Sequence, residues 1–270
     1  MRTGVRKALT SSLRALRDAS AERDGARVER AWKLFLLTPR MLLARPASQG
    51  AAGRRELLER LPAYERGRWE ELLAGAQSAP TRRSPGGAAV EAVAERRREA
   101  ACAKVRRGEL SRVRQLLTAA ELAPGTAATL AALTDASKRP PVARAPIPSE
   151  VMEFQPASPV RLPEAAIASA LKDAKRGSAP GLSGARVEHY KLLLDDADAL
   201  GLRSAAATCL AQAQVPPAVD QALALARLTA LRKPAGGVRG IATGDTFRRL
   251  VSRALATGWS ASFERATNPY

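Results

Sequence analysis

Seven prolines fall between Arg139 and Glu164: Pro140, Pro141, Pro146, Pro148, Pro156, Pro159 and Pro163. Each fixes its own φ, lacks an N–H to donate, and pushes the residue before it out of the helical region. A helix through this stretch is therefore forbidden, and an extended or polyproline path is expected. The spacing predicts a connector over 139–163 between a helical region at 1–138 and a second region at 164–270.

Apolar residues recur at helical spacing on both sides. Val28, Trp32, Phe35, Leu36, Met41, Leu42 and Leu43 form a stripe interrupted at Pro39, which predicts two short helices or one kinked helix. Leu57, Leu58 and Leu61 precede Pro62, and Trp69, Leu72 and Leu73 mark another short helix. A Pro/Gly/Ser/Arg loop is expected over 77–87. Ala88 to Arg107 reads as a helix stopped at Gly108, Leu110 to Leu122 as one with a leucine face, and Thr126 to Leu133 as a last turn or two. Downstream, Glu164 to Lys175 is amphipathic, with Ile167, Ala170, Leu171 and Ala174 inward. The run Gly177 to Gly184 breaks it. Helices are expected over Ala185 to Leu194, over Asp198 to Gln214, after Pro216-Pro217, and over Thr246 to Arg265 with Asp245 as cap.

The chain carries 44 Lys plus Arg against 26 Asp plus Glu, a net charge of +18, which favours a polyanionic partner such as nucleic acid. Residues 1–145 hold +14 of that excess and residues 146–270 hold +4. Only eight of the basic residues are Lys, so part of the arginine richness reads equally as codon bias rather than selection for binding. The triplet Arg96-Arg97-Arg98 reads equally as a solvated helix face. Aromatics make up 4%, too few for a platform of stacked bases, so contact through phosphates is expected. Cys102 and Cys209 lie far apart and His189 is the single histidine, which excludes the usual Cys/His zinc constellations. No signal peptide and no uninterrupted apolar run near 18 residues is present, so the expectation is an intracellular protein, of nucleus or cytoplasm, with no membrane partner.

Leu223 to Arg232 is ambiguous between helix and strand. Its composition favours helix, while its length and the following Pro234-Ala-Gly-Gly237 suit a strand entering a hairpin. Across that turn Lys233 and Arg239 can reach one polyanion, Lys as a point charge and Arg as a planar fork. His189, beside Tyr190, reads as a structural histidine with no nucleophile in register.

The segment Leu228 to Asp245, with Lys233-Pro234, Gly236-Gly237 and Arg239-Gly-Ile241, resembles the second motif of the reverse transcriptases of non-LTR (LINE-type) retrotransposons and their group II intron relatives. Ala179 to Lys191, reading APGLSGARVEHYK, resembles the first motif, in the family's order and separation. Together they cover about residues 160–270, and Phe247 to Tyr270 is similar to the segment that leads into the palm. The resemblance implies the fingers part of a right-hand polymerase fold, so the fold class expected is mainly α with a small β-hairpin. It also implies that Arg239 binds the triphosphate of an incoming deoxynucleotide, that Lys233 assists or meets the template, and that Gly181 and Gly184 shape a loop under the template strand. Leu182-Ser183 stands where many relatives have Pro-Asp.

The family's chemistry depends on paired aspartates that hold Mg²⁺ or Mn²⁺. No Phe/Tyr-x-Asp-Asp signature follows the hairpin, and Leu193-Leu-Asp-Asp196 lies upstream of it and reads as a helix end and turn. The expectation is accordingly a reverse-transcriptase fragment, inactive alone, with no catalytic or metal-binding residue of its own. Its partners would be an RNA or DNA template-primer and the missing palm of its parent. The alternative is a non-enzymatic, basic, helical nucleic-acid-binding protein.

Overall fold

The computed structural model describes residues 2–22, 24–48, 50–78, 90–106, 108, 110–118, 120–137, 146, 148–153, 155 and 158–267. In chain order the elements are α1 (Arg2–Glu22), α2 (Gly25–Leu43), α3 (Gly50–Glu65), α4 (Trp69–Ser78), α5 (Val90–Val105), α6 (Leu110–Thr118), α7 (Ala127–Thr134), α8 (Ser149–Met152), α9 (Glu164–Asp173), α10 (Val187–Lys191), α11 (Ala197–Ala211), α12 (Pro217–Ala224), β1 (Ala226–Arg232), β2 (Val238–Gly244), α13 (Thr246–Gly258) and α14 (Ser260–Thr267). The chain is 66% helical, with one two-stranded antiparallel sheet, so the mainly α class with a small hairpin holds. Among the described residues no helix is long and apolar enough to cross a membrane.

Two compact units form. One comprises Met1–Ala79, Ile147–Arg227 and Thr243–Tyr270; the other comprises Pro80–Pro146 and Leu228–Ala242. This division differs from the one the prolines suggest, because helices on both sides of the proline stretch share one core. Trp32 and Phe35 of α2, Tyr190 of α10 and Phe247 of α13 are all buried and meet ring against ring. The Phe35 and Phe247 centroids lie 5.1 Å apart at 88°, the edge-to-face geometry that aromatic quadrupoles favour. Part of the proline stretch, including Pro140, Pro141 and Pro156, and all but the first two residues of the loop expected over 77–87 lie outside the described residues. Within 139–163, Ser149–Met152 forms one short helical turn.

Helix α1 has a clear pattern that the sequence reading passed over. Val5, Leu9, Leu13 and Leu16 recur every three or four residues and are all buried, with α1 packed on α2 and α11. Asp24 caps α2, its carboxylate accepting from Ala26 N (3.0 Å) and Arg27 N (3.2 Å). One helix then runs through Pro39 to Leu43, and another runs through Pro62 to Glu65. In α9 the four residues expected inward, Ile167, Ala170, Leu171 and Ala174, are buried. The helix expected over 185–194 is only the five residues of α10, and the long one expected over 246–265 divides at Trp259.

In the second unit, α5 packs on α6, and Gly108 sits at φ +69°, the left-handed conformation of a helix stop. Helix α6 ends at Thr118, four residues short of Leu122. Glu121 to Ala123 instead lies along β1: Ala123 N donates to Ala230 O at 3.0 Å and Arg232 N to Glu121 O at 2.8 Å. Pro124 explains the change, since the residue before a proline is driven out of the helical region.

Truncating Phe247 to alanine removes a ring shared by three partners and is expected to destabilise the first unit by about 3–5 kcal/mol. Urea unfolding followed by tryptophan fluorescence, with Trp32 in the same cluster as reporter, measures it.

Candidate functional site

The ambiguous segment resolves into both structures. Leu223 closes α12, and from Ala226 the chain is strand. The reversal is held by Lys233 N donating to Gly237 O and Gly236 N donating to Lys233 O, both at 3.1 Å. Gly236 and Gly237 have φ of +86° and +83°, and a Cβ on either would meet open space, so glycine is required there by backbone conformation alone.

On this hairpin Leu228, Lys233, Arg239, Gly240 and Ala242 line an open groove of about 600 Å³. The two sequence-predicted cations are thus brought to one place. Neither forms an ion pair among the described residues. The groove contains no carboxylate, hydroxyl or aromatic ring, so its chemistry is an ammonium and a guanidinium over a small, apolar floor. It suits phosphate oxygens.

The two sequence-predicted glycines belong to the other unit, in the loop between α9 and α10. Gly181 is buried, and a Cβ there would come within 2.6 Å of Asp245 Cα and 2.8 Å of Gly244 O. Its role in the geometry is to let the loop lie against the start of α13. Gly184 adopts φ +76°, and its N–H donates to Gly181 O at 3.3 Å.

Polar side chains fasten this loop, and sequence reasoning identified almost none of them. Asp245 caps α13 through Phe247 N (2.7 Å), as expected, and its other carboxylate oxygen accepts from the Ser183 hydroxyl. Ala185 N donates to Ser183 Oγ at 3.2 Å, and Thr246 Oγ1 donates to Ala185 O at 2.6 Å. Arg249 donates to Ala179 O at 2.6 Å and Arg40 to Leu182 O at 3.1 Å. Only the cap at Asp245 has a local sequence signature; the remaining contacts join residues at least 61 apart, Ala185 N to Ser183 excepted.

Paired aspartates for a divalent cation do not assemble from these residues. Asp245 is committed to the cap and to Ser183. Asp196 caps α11 through Ala199 N at 3.0 Å, and Asp198 pairs with Arg14 of α1. The described carboxylates therefore do not fit the two-metal site that the reverse-transcriptase resemblance implies, and no step is derived through a metal. His189 accepts from Arg186 N through Nδ1 at 3.2 Å. Burial, reinforced by the Arg186 charge, lowers its pKa from 6.5 to about 4, so the ring is neutral at pH 7.

Comparison with known proteins finds no protein-family profile, no curated protein and no solved structure that matches the chain.

Two outcomes are expected. Gly181→Ala forces the loop off α13 and lowers stability by about 1–3 kcal/mol, read as a drop in Tm. For His189 the folded pKa lies below the unfolded one, so the unfolded state binds more protons between pH 6.5 and about 4. Its contribution is present above pH 6.5 and lost as pH falls to about 4. Urea midpoints at pH 7 and pH 4.5 should therefore differ more in the wild type than in His189→Gln, whose amide oxygen keeps the acceptor without the titration.

Proposed function

We propose that the chain is the nucleic-acid-guiding, fingers-like part of a reverse transcriptase of the non-LTR retrotransposon class. In this reading the hairpin grips phosphate while the metal-bound chemistry belongs to carboxylates that the chain does not carry. The observation behind it is the shared groove of Lys233 and Arg239, two cations with no ion-pair partner among the described residues, on a glycine-turned hairpin. The reading is further supported by the order of the two motif-like segments and by the fit of Gly181 against Gly244-Asp245, which ties the first segment to the last residues of the second.

Arg239 is assigned to the phosphates of an incoming deoxynucleotide and Lys233 to the template backbone. An arginine fork holds two oxygens of one phosphate, whereas a lysine follows a moving phosphate as a point charge. Leu228, Gly240 and Ala242, which also line the groove, add no ring on which a base could stack.

A primed RNA template, titrated with the protein while fluorescence anisotropy is followed, tests the reading. Arg239→Ala is expected to weaken binding several-fold and to abolish any response to added deoxynucleoside triphosphate, with template extension absent in both proteins. Binding by Arg239→Ala and Lys233→Ala equal to wild type would overturn it, and so would robust extension by the chain alone.

A further inference from the structure

Positive charge is handled differently along the chain. All seven ion pairs recorded among the described residues take their cation from residues 14–98. The 15 basic residues from Arg161 to Arg265 form none among the described residues. Several of these bind main-chain carbonyls instead, and they converge on one segment, the end of α9 and the loop that follows it. Lys191 donates to Lys172 O (3.0 Å) and Ala174 O (2.9 Å), Arg253 to Asp173 O (3.4 Å), and Arg249 to Ala179 O (2.6 Å).

Part of this is helix capping. The last carbonyls of α9 lack intrahelical partners and sit at the negative end of the helix dipole, so cations from α10 and α13 belong there. Capping accounts for Lys191 and Arg253. It does not account for Lys172, Lys175 and Arg176, which the same segment adds as exposed side chains. Six cations then surround Lys172–Ala179. The only carboxylate in that segment is Asp173, which accepts from Ser169 Oγ at 3.3 Å and meets no cation. Glu188 adds a second carboxylate, accepting from Gly177 N, so six cations face two anions, and the excess of like charge becomes favourable only with an anion present.

We infer that this surface, formed by Lys172, Lys175, Arg176, Arg249 and Arg253, is a second phosphate-binding track that holds the sugar–phosphate backbone of a nucleic-acid strand, apart from the hairpin groove. The inference rests on the nucleic-acid reading above and adds the residues that carry it. Arg249 and Arg253 stand four residues apart on one face of α13, and the carbonyls they bind fix each guanidinium in place. Their remaining N–H groups are left for a ligand, with less side-chain freedom lost on binding. The helix N-terminus takes no part, since the Asp245 carboxylate already occupies it. A lipid surface fits less well. The apolar side of α13, with Phe247, Leu250, Val251 and Ala254, is buried in the core, and the exposed side offers Arg248, Arg249, Ser252, Arg253 and Thr257.

The test uses the double variant Lys175→Gln/Arg176→Gln, whose side chains make no hydrogen bond among the described residues, so that fold is preserved and checked by an unchanged urea midpoint. Labelled oligo(dT) is titrated by anisotropy over a series of salt concentrations, beside Lys233→Gln/Arg239→Gln. The loop variant is expected to bind about tenfold more weakly at low salt, and the slope of log affinity against log salt to fall by roughly 1.4, two contacts at ~0.7 each. Wild-type affinity and slope in the loop variant overturn the inference, and a loss confined to the hairpin variant does so while leaving the hairpin reading intact. A loss confined to the loop variant supports the track and removes the hairpin reading. Reduced binding to phosphatidylserine vesicles with oligo(dT) binding unchanged also overturns the inference, in favour of a membrane.

Discussion

Phe247 holds the first unit in register. Its ring touches Trp32, Phe35 and Tyr190, residues that come from α2 and α10, and it is fully buried among them. Because Phe247 is the second residue of α13, that contact also fixes where the helix begins. The start of α13 in turn fixes Asp245, and Asp245 holds Ser183. Thr246 and Arg249, one turn further, take Ala185 O and Ala179 O. The glycine-containing loop is therefore positioned by aromatic packing in the core, through a short chain of hydrogen bonds. Gly181 permits this because its missing Cβ leaves room for the Asp245 backbone.

The same core contains a charge. Arg203 is fully buried, its Nη2 donating to Tyr190 O at 3.2 Å and its guanidinium lying 5.3 Å from the Tyr190 ring centre. Burial lowers its pKa to about 10, which still leaves it protonated at neutral pH. Nε and Nη1 find no hydrogen-bond partner, and neither does the Tyr190 hydroxyl, whose pKa is pushed well above 10 by burial and by the charge of Asp245. A cation against the face of an aromatic ring recovers part of the cost of leaving water. Tyr190 thus serves two partners, offering an edge to the aromatic cluster and a face to Arg203.

How much of this the sequence discloses depends on the range of each interaction. Asp245 as a cap, the inward residues of α9 and the glycines of the hairpin turn were legible because each rests on neighbours within four residues. The leucine spacing overextends α6 to Leu122, whereas Pro124 turns the chain out of the helix and pairing with β1, 109 residues on at Leu231, holds it extended. The proline-based division into 1–138 and 164–270 used a local rule, but the units are set by long-range packing between α1, α2, α11 and α13. Of the candidate site, Lys233 and Arg239 were legible because a hairpin turn joins them. The contacts of Arg40, Arg249 and Arg253 with loop carbonyls have no signature, since a carbonyl acceptor exists at every residue.

Position 183 shows how one residue adapts to such long-range placement. Under the proposed reading, aspartate is the residue expected there in many relatives. In this chain the side chain at 183 faces the Asp245 carboxylate, which is buried and already caps α13. A second carboxylate would set two acidic groups in hydrogen-bond contact away from water. Serine instead donates to Asp245 and accepts from Ala185 N, so the loop closes on itself while Asp245 keeps its cap on α13. The charge that aspartate would have added to the loop is thereby absent. The surface around Lys172 to Ala179 keeps an excess of positive charge because its carboxylates, Asp173 and Glu188, are fewer than the cations that gather there.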